Sequence, residues 1–330
     1  MKIGYDMGAP THWFGGPDCL KLAVQCENVG FDDVWMGDHF LPWFHTHAHS
    51  PQAWVWMTSA AEKTKRVGIG TAATAPMFKY NPAVVAQAFS TMGCIYPGRI
   101  KMIVGTGEAL NERPFLTEWP KWKTRSEMLV EAVDLMRKYW TSEEYFSFKG
   151  KYFNMDTILC YDRSPEKIPV YFSAYGPKAA VVAGEHADGL CTWGTKYDYT
   201  KNVILPNFEK GARSAGRDPK SLEKICWVDI GYGEQKTLLD KFRRSSASWF
   251  IEANYDEPDP RQTEKNAYPM TDEEIRKMAI ITDNPEDFVK VIERNEREGF
   301  DQLIFSDSSL YPEETVAEFG RSVLPHFQSK

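Results

Sequence analysis

The sequence lacks the features that would mark a secreted or membrane-bound protein. Its 330 residues contain six scattered cysteines but no C-x-x-C pair, so a disulfide framework is not indicated. No apolar run reaches the ~20 residues of a membrane helix. The residues after Lys2 are too few and too polar for the apolar core of a signal peptide. We therefore expect a protein of the reducing cytoplasm, with no membrane partner.

The sequence also lacks a basic surplus and a dinucleotide-binding fingerprint. Lys and Arg number 39 against 46 Asp and Glu, a net charge of −7, so a nucleic-acid partner is not expected. No G-x-G-x-x-G follows the first predicted strand, which weakens a Rossmann interpretation. Aromatic residues are abundant, at 14% with 11 Trp, and indole rings usually fill a core or line a pocket.

Short apolar runs alternate with longer helical patterns, which is the pattern of repeated βα units. Eight such runs favour a (β/α)8 TIM barrel, an α/β fold, over an open doubly wound sheet. We expect one domain over residues 1–330, with a small hairpin inserted around 141–165 and a long loop or lid around 251–271. The predicted strands are Lys2–Asp6, Asp33–Gly37, Val67–Thr71, Ile100–Gly105, Val170–Ser173, Gly189–Trp193, Ile225–Gly231 and Gln302–Phe305. The predicted helices are Asp18–Val29, Pro82–Ile95, Arg125–Trp140, Lys178–His186, Lys201–Ala215, Gln235–Ser248 and Pro285–Glu298.

Polar and glycine-rich residues follow nearly every predicted strand. Active sites of such barrels form at the carboxyl ends of the strands. Asp38 and His39 directly follow the second strand. An imidazole there could take a proton from a hydroxyl group, and the pair could instead be metal ligands. The alternative is a helix-capping Asp beside a packed His, but the position after a buried strand favours a functional role.

The segment His45-Thr46-His47 contains the H-x-H pattern of metal-dependent hydrolases. Such enzymes need further ligands downstream, and only His186 and His326 remain there. We therefore expect no metal site, and interpret the segment as a loop that faces solvent or lines the pocket.

Two further strand ends carry residues suited to binding and proton transfer. In the segment Gly105 to Glu112, Glu108 directly follows Gly105-Thr106-Gly107, and burial could raise its pKa until it serves as an acid. Tyr175-Gly176-Pro177 opens a predicted helix, whose first N–H groups could hold a phosphate. An ordinary turn is the alternative for both segments. It is equally simple for Tyr175-Gly176-Pro177, whereas the pairing with Asp38 and His39 favours a functional role for Glu108.

These motifs together resemble the luciferase-like barrel enzymes that use the deazaflavin coenzyme F420. The nearest resemblance is to the F420-dependent glucose-6-phosphate dehydrogenases and secondary alcohol dehydrogenases. The resemblance covers most of the chain. It is densest in Asp38-His39-Phe40-x-Pro42-Trp43, Lys79 to Phe89, Tyr96-Pro97-Gly98-Arg99, Gly105 to Glu112, Phe148 to Phe153 and Pro169 to Phe172.

The resemblance implies F420 as cofactor and hydride transfer from the carbinol carbon of a hydroxyl substrate. It implies His39 as the base, Glu108 as the acid near the deazaflavin and Trp43 beside the reacting centre. It also implies a non-proline cis peptide between Ala72 and Ala73, and a homodimer. The implied coenzyme-binding residues are Asp38, Ala72, Ala73, Gly107, Asn111, Ser173, Ala174, Tyr175, Gly176 and Pro177.

The sequence departs from the resembled enzymes on the substrate side. His12 stands where relatives place a glutamate, and of the three cations that clamp a sugar phosphate only Lys196 is in place. Trp13 and Trp193, with other aromatic residues, favour a smaller or less charged substrate. We expect a small secondary alcohol, with a sugar 6-phosphate as the alternative. An FMN-dependent monooxygenase on the same barrel is a third possibility.

Overall fold

The structure, a computed structural model, describes residues 1–327. The strands among these residues are β1 (Lys2–Asp6), β2 (Asp33–Met36), β3 (Gly68–Thr74), β4 (Ile100–Val104), β5 (Phe146–Lys149), β6 (Asn154–Ile158), β7 (Val170–Ser173), β8 (Gly189–Trp193), β9 (Glu223–Tyr232), β10 (Ala279–Thr282) and β11 (Gln302–Asp307). Eight parallel strands close a barrel in the order β1-β2-β3-β4-β7-β8-β9-β11, with β11 paired back to β1. The (β/α)8 prediction is therefore confirmed.

Helices alternate with the barrel strands as the pattern predicted, although several bounds differ. One helix was predicted over Gln235–Ser248, but the observed helix ends at Arg243 and is followed by a 3-10 helix, Ser246–Phe250. The helices are α1 (Gly16–Val29), α2 (Ala53–Lys63), α3 (Pro82–Ile95), α4 (Ala109–Glu112), α5 (Trp122–Thr141), α6 (Pro177–His186), α7 (Tyr197–Tyr199), α8 (Leu205–Ser214), α9 (Gln235–Arg243), α10 (Pro260–Ala267), α11 (Asp272–Met278), α12 (Glu286–Arg297) and α13 (Pro312–Glu318).

Several elements were not predicted from the sequence, among them the helix α2 and the strand β10. Helix α2 follows the histidine-rich loop, which contains His45, His47 and His49. The Gln52 side chain caps the N-terminus of this helix by accepting a hydrogen bond from the backbone N–H of Val55. Strand β10 pairs with the last four residues of β9. It can do so because β8 pairs only with the first half of β9, which leaves the second half open on that side.

The two insertions have different structures. The first is the predicted antiparallel hairpin, formed by β5 and β6. The second was predicted as a loop or lid over 251–271, but it contains a 3-10 helix, Glu252–Asp256, and the helix α10. Helix formation is explained by Asp259, whose side chain caps the N–H of Arg261, and by Pro260 at the first helical position.

A small apolar layer fills the barrel interior beneath the carboxyl ends of the strands. It contains Trp35, Ile103, Tyr171, Cys191, Ile225 and Ile304. The larger core lies between the strands and the surrounding helices. Within residues 1–327 no helix combines the length and the apolar composition that a membrane crossing requires.

Candidate active site

A cavity of about 1250 Å³ opens at the carboxyl ends of the barrel strands. One part of its wall consists of glycine and alanine residues on three neighbouring strands. Gly37 follows β2, Ala72 and Ala73 lie near the end of β3, and Gly105 follows β4. The peptide bond between Ala72 and Ala73 is cis, as the resemblance predicted. The result is a shallow wall against which a planar ring could lie.

A buried charge cluster supports the segment after β2. Lys79 donates from Nζ to the backbone oxygen of Asp38 over 2.6 Å and lies 3.3 Å from Oδ1 of the same residue. Its Nζ also lies 3.9 Å from Oε1 of Glu112. Tyr80 donates its hydroxyl to Oδ1 of Asp38 over 3.2 Å, which leaves the buried Oδ2 of Asp38 without a hydrogen bond. That free carboxylate oxygen lies on a residue of the cavity wall and is available to a bound group.

His39 follows Asp38 on the cavity wall with 24% of its side chain exposed. Burial lowers the pKa of His39 to about 4, and the ammonium of Lys79 adds to this effect, while the carbonyl of Leu41 opposes it. The imidazole is therefore neutral at ordinary pH. A neutral ring nitrogen can accept a proton, as a general base must.

Glu108 stands opposite His39, with Oε2 at 3.9 Å from Nε2 of the imidazole. Burial and the nearby charge of Glu112 raise the pKa of Glu108 to about 7, against the opposing effects of Lys79 and Asn111. The pKa of Glu112 is likewise raised to about 7, first of all by burial. Glu108 can therefore carry a proton near neutral pH, whereas His39 does not. The arrangement places a base and an acid on one cavity wall.

Asn111 connects these two groups. Its Nδ2 donates to Oε2 of Glu108 over 3.1 Å and lies 3.3 Å from Nδ1 of His39. Its Oδ1 accepts from the backbone N–H groups of Phe40 and Leu41. The side chain thereby holds the segment after β2 against the loop after β4.

Further cavity residues come from the loop after β4 and from the end of β7 and the loop after it. Gly107 has a φ of +78°, which favours glycine, and an added Cβ would lie 2.9 Å from the Glu112 side chain. Ser173, Tyr175, Gly176 and Pro177 line the cavity where α6 begins. An added Cβ at Gly176 would meet nothing within 4 Å, so the start of α6 is open to a ligand.

Aromatic rings form another part of the cavity wall. Trp43 lies with its ring centroid 6.2 Å from that of His39 and 5.6 Å from that of Tyr255, in an edge-to-face contact. Tyr255 belongs to the second insertion, which is joined to the wall again where Thr263 donates its hydroxyl to the backbone oxygen of Trp43. The insertion therefore covers the cavity as an ordered segment. Lys196 places Nζ 5.0 Å from the ring centroid of Trp193, and both line the cavity.

Two of the predicted site residues lie off the cavity wall. Ala174 is fully buried, and its backbone N–H donates to the oxygen of Cys191 in the barrel. Trp13 stacks on the His47 ring at 6.1 Å and lies beneath the ammonium of Lys241. The remaining predicted residues, His12, Asp38, His39, Trp43, Ala72, Ala73, Gly107, Glu108, Asn111, Ser173, Tyr175, Gly176, Pro177, Trp193 and Lys196, are brought together around one cavity.

The histidine-rich loop is held by a carboxylate. Glu264 accepts from the backbone N–H groups of His45 and Thr46, both over 3.1 Å, and from the hydroxyl of Thr46. His47 has a φ of +61°, and His49 lies at the cavity wall. Within residues 1–327 no group of three or more His, Cys, Asp or Glu side chains is arranged to hold a metal ion.

Sequence reasoning gave no role to several cavity residues. Asp6 ends β1 and was interpreted only as part of that strand, although a carboxylate at a strand end was a usable signal. Tyr255, in a segment expected to be irregular, offered no such signal. Arg125 lines the cavity from the start of α5, with its guanidinium 4.1 Å from the ring centroid of Trp119.

Comparison with known proteins shows which family and which enzymes the chain is similar to. Residues 6–302 match the family model for luciferase-like monooxygenases. The chain is 37% identical over 333 residues to the F420-dependent glucose-6-phosphate dehydrogenase of Segniliparus rotundus, covering 100% of this chain and 98% of that one. It is 37% identical over 334 residues, with the same coverage, to the enzyme of that name from Rhodococcus erythropolis.

A solved structure is similar over nearly the whole chain. It is an F420-dependent secondary alcohol dehydrogenase in complex with an F420-acetone adduct, with a TM-score of 0.92, 36% identity and 98% coverage of both chains. With the family match, this shows that the chain belongs to the luciferase-like family and, within it, to the F420-dependent dehydrogenases.

Proposed function

We propose that this protein oxidises an unphosphorylated secondary alcohol to a ketone with coenzyme F420 as the hydride acceptor. The observation that carries the proposal is the pairing of His39 and Glu108, 3.9 Å apart on the wall of a large cavity. Their environments lower the pKa of His39 and raise that of Glu108. The imidazole can therefore accept a proton as a base, and the carboxyl group can carry one as an acid.

The residues present fit a deazaflavin coenzyme. The wall formed by Gly37, Ala72, Ala73 and Gly105 leaves space for a flat ring, and the free Oδ2 of Asp38 can accept a hydrogen bond from a ring or ribityl group. Gly176 and the first turn of α6 would face a phosphate. When bound, the deazaflavin would supply a ring carbon that accepts the hydride.

The residues of the chain account for the protons of this reaction. His39 takes the hydroxyl proton on Nε2 while the carbinol carbon loses its hydrogen as a hydride and its bond to oxygen becomes a carbonyl. Glu108, which can be protonated near neutral pH, supplies a proton on the coenzyme side. Two electrons leave the substrate with the hydride, one proton goes to His39 and one comes from Glu108. Trp43, whose ring centroid lies 6.2 Å from that of His39, would help to exclude water from the reacting centre.

The cavity composition favours an alcohol without a phosphate. Trp43, Trp193, Trp227, Trp249 and Tyr255 all line it. Three cationic side chains also line it, Arg125, Lys178 and Lys196. Arg125 is already engaged, over the Trp119 ring and 3.7 Å from Asp256, whereas a phosphate clamp needs several cations free to donate to its oxygens. The alternative, a sugar 6-phosphate, is supported by the names of the curated relatives.

A comparison of substrates tests the proposal. We expect F420 reduction with propan-2-ol at a higher kcat/KM than with glucose 6-phosphate. A preference of orders of magnitude for the sugar phosphate, lost in Lys196→Ala, would establish the alternative. Quenching of tryptophan fluorescence by oxidised F420 and by FMN is measured in parallel. Micromolar FMN binding without F420 binding would favour a flavin-dependent monooxygenase.

We propose further that the protein is a cytoplasmic homodimer with one barrel domain in each subunit. All six cysteines are free, as expected in a reducing compartment. Helices α2 and α3 are joined by the hydrogen bond from the Tyr96 hydroxyl to Glu62, and they expose Val55, Val84 and Ile95 at 68%, 52% and 57%. Light scattering would test the dimer. The double variant Val55→Glu with Val84→Glu should be monomeric, whereas the control Lys210→Glu should remain dimeric.

A further inference from the structure

Two charged residues next to the base and the acid have no part in the reaction described above. Lys79 lies in the segment after β3, and Glu112 ends the short helix α4. Their side chains are only 4% and 2% exposed. Within residues 1–327, Lys79 is the only lysine or arginine that forms an ion pair with Asp38, Glu108 or Glu112. A single cation therefore serves three carboxyl groups.

Lys79 contacts the segments on both sides of its own. Its Nζ donates to the backbone oxygen of Asp38 over 2.6 Å and lies 3.3 Å from Oδ1 of that residue. Nζ also lies 3.9 Å from Oε1 of Glu112, and the backbone N–H of Lys79 donates to Oε2 of Glu112 over 3.3 Å. Because β3 lies between β2 and β4 in the barrel, Lys79 joins the segment that carries His39 to the segment that carries Glu108.

Glu108 and Glu112 are close to each other but differ in their surroundings. Glu112 follows Glu108 by one helical turn, and its backbone N–H donates to the backbone oxygen of Glu108 over 3.1 Å. The ammonium and the backbone N–H of Lys79 both stabilise a charge on Glu112. Glu108 receives only the hydrogen bond from the Asn111 amide and lies beside the neutral imidazole of His39. Glu112 is therefore the better place for a negative charge, and Glu108 the better place for a proton.

The other titratable groups near this cluster are neutral at ordinary pH. Burial lowers the pKa of His12, which faces His39, to about 3. Three tyrosines face the cluster, and their pKa is raised above its usual value, first of all because the cavity shields them from water. They are Tyr80 beside Asp38 and Glu112, and Tyr175 and Tyr255 beside Glu108. The fixed charges that act on His39 and Glu108 are thus those of Asp38, Lys79 and Glu112.

We propose that Lys79 and Glu112 are positioning residues that decide where the protons of the reaction lie. The negative charge of Glu112 keeps Glu108 protonated, because a second charge beside it would be repelled. The positive charge of Lys79 keeps His39 neutral and limits how tightly Glu108 holds its proton. Lys79 does not line the cavity, so it acts through these neighbours. The inference rests on the proposed function, in which His39 is the base and Glu108 the acid.

The pair predicts shifts of opposite sign in the pH profile of kcat/KM. Lys79 lowers the pKa of both His39 and Glu108, so Lys79→Met should raise the acidic and the alkaline limits, each by about one pH unit. Glu112 raises the pKa of Glu108, so Glu112→Gln should lower the alkaline limit by about one pH unit. The new amide still offers an oxygen to the backbone N–H of Lys79. A purely structural role would reduce the rate without moving the alkaline limit in opposite directions.

Two further variants serve as controls. Lys79→Arg keeps the positive charge and should retain both limits of the unmodified protein. Lys210→Met removes a lysine from the exposed face of α8 and should also leave them unchanged. Alkaline limits that stay in place, or that move in the same direction in Lys79→Met and Glu112→Gln, would overturn the proposal. If Lys79→Met does not fold, Glu112→Gln decides alone, since a lowered limit supports the proposal and an unchanged or raised limit defeats it.

A titration without turnover separates this inference from the proposed function. Carbon-13 NMR of protein labelled at the glutamate carboxyl carbons follows Glu108 in the absence of coenzyme, and Glu108→Gln assigns its signal. We expect a midpoint near pH 7 that rises in Lys79→Met and falls in Glu112→Gln. That result would support the charge pair even if no alcohol reduced F420, which would defeat only the dehydrogenase proposal. A midpoint near the ordinary value of about 4, or the same midpoint in all variants, would defeat the inference itself.

Discussion

The side-chain amide nitrogen of Asn111 lies 3.3 Å from Nδ1 of His39. The carbonyl oxygen of Leu41 lies at the same distance from that ring nitrogen. A proton on Nδ1 can be donated to Leu41, and Nε2 is then the free acceptor that a general base requires. Asn111 is left to donate to Glu108. The Asn111 amide is therefore in contact with the imidazole ring, but it does not compete with Leu41 for the proton on Nδ1.

The substitution Asn111→Asp should alter the acid strength of His39. The new carboxylate keeps an acceptor for the backbone N–H groups of Phe40 and Leu41 and adds a negative charge beside Nδ1. Since a nearby negative charge favours imidazolium, we expect the acidic limit of the pH profile of kcat/KM to rise by about one pH unit or more. Asn111→Ala adds no charge and should slow the reaction without that shift. An acidic limit unchanged in Asn111→Asp would contradict this electrostatic coupling.

The pH profile of the unmodified protein should show two limits. His39 is an active base only above its pKa of about 4, and Glu108 is an active acid only below its pKa of about 7. We expect kcat/KM for alcohol oxidation to be highest between these values and to fall as pH rises through the upper one. Glu108→Gln cannot donate a proton and should lower the rate ~10²–10⁴-fold. Retention of the alkaline fall in that variant would assign the limit to Glu112 or another group.

Removing the imidazole should separate chemistry from coenzyme binding. His39→Ala deletes the base but leaves the shallow wall, Asp38 and Gly107 in place. We expect turnover to fall ~10²–10⁴-fold, the usual cost of losing a general base. F420 affinity, followed by tryptophan quenching, should change little. Near-native turnover would remove His39 from the mechanism.

The barrel and one side of the site could be predicted from sequence because they follow local rules. Each barrel strand is a short apolar run, and parallel strands gather their carboxyl ends at one rim. His39 and Glu108 each lie in the loop that follows such a run, β2 ending at Met36 and β4 at Val104. Their proximity is therefore a consequence of strand order, in which β2 and β4 both neighbour β3.

Other parts of the fold and of the site could not be predicted from the sequence, because they depend on contacts between residues that are far apart along the chain. Strand β10 forms because β9 is long enough to extend beyond β8, and no local pattern in Ala279–Thr282 conveys that. Tyr255 reaches Trp43 only after the second insertion folds over the cavity. Asp229 was part of a predicted strand, and its unsatisfied carboxyl group is visible only once the barrel interior is assembled.

Close packing between α6 and α8 provides the last prediction. Gly184 and Gly211 lie where these helices cross, and a Cβ on Gly211 would come within 2.1 Å of the backbone oxygen of Val181. Because backbone cannot rotate away as a side chain can, Gly211→Ala must push the helices apart. We expect the free energy of unfolding in urea to fall by about 1–3 kcal/mol. Helix α6 also begins at the cavity with Pro177, so F420 affinity should weaken as well.

The control for this substitution is Lys210→Ala, one residue earlier on the exposed face of α8. It leaves the helix crossing intact, and since alanine suits a helix it should change stability by less than about 0.5 kcal/mol. Replacing glycine by alanine favours the helix by itself, so a loss of stability in Gly211→Ala that Lys210→Ala does not show comes from the crossing. If Gly211→Ala matched Lys210→Ala in both unfolding and F420 affinity, the helices would have room to separate, and their contact would not fix the position of the α6 N-terminus.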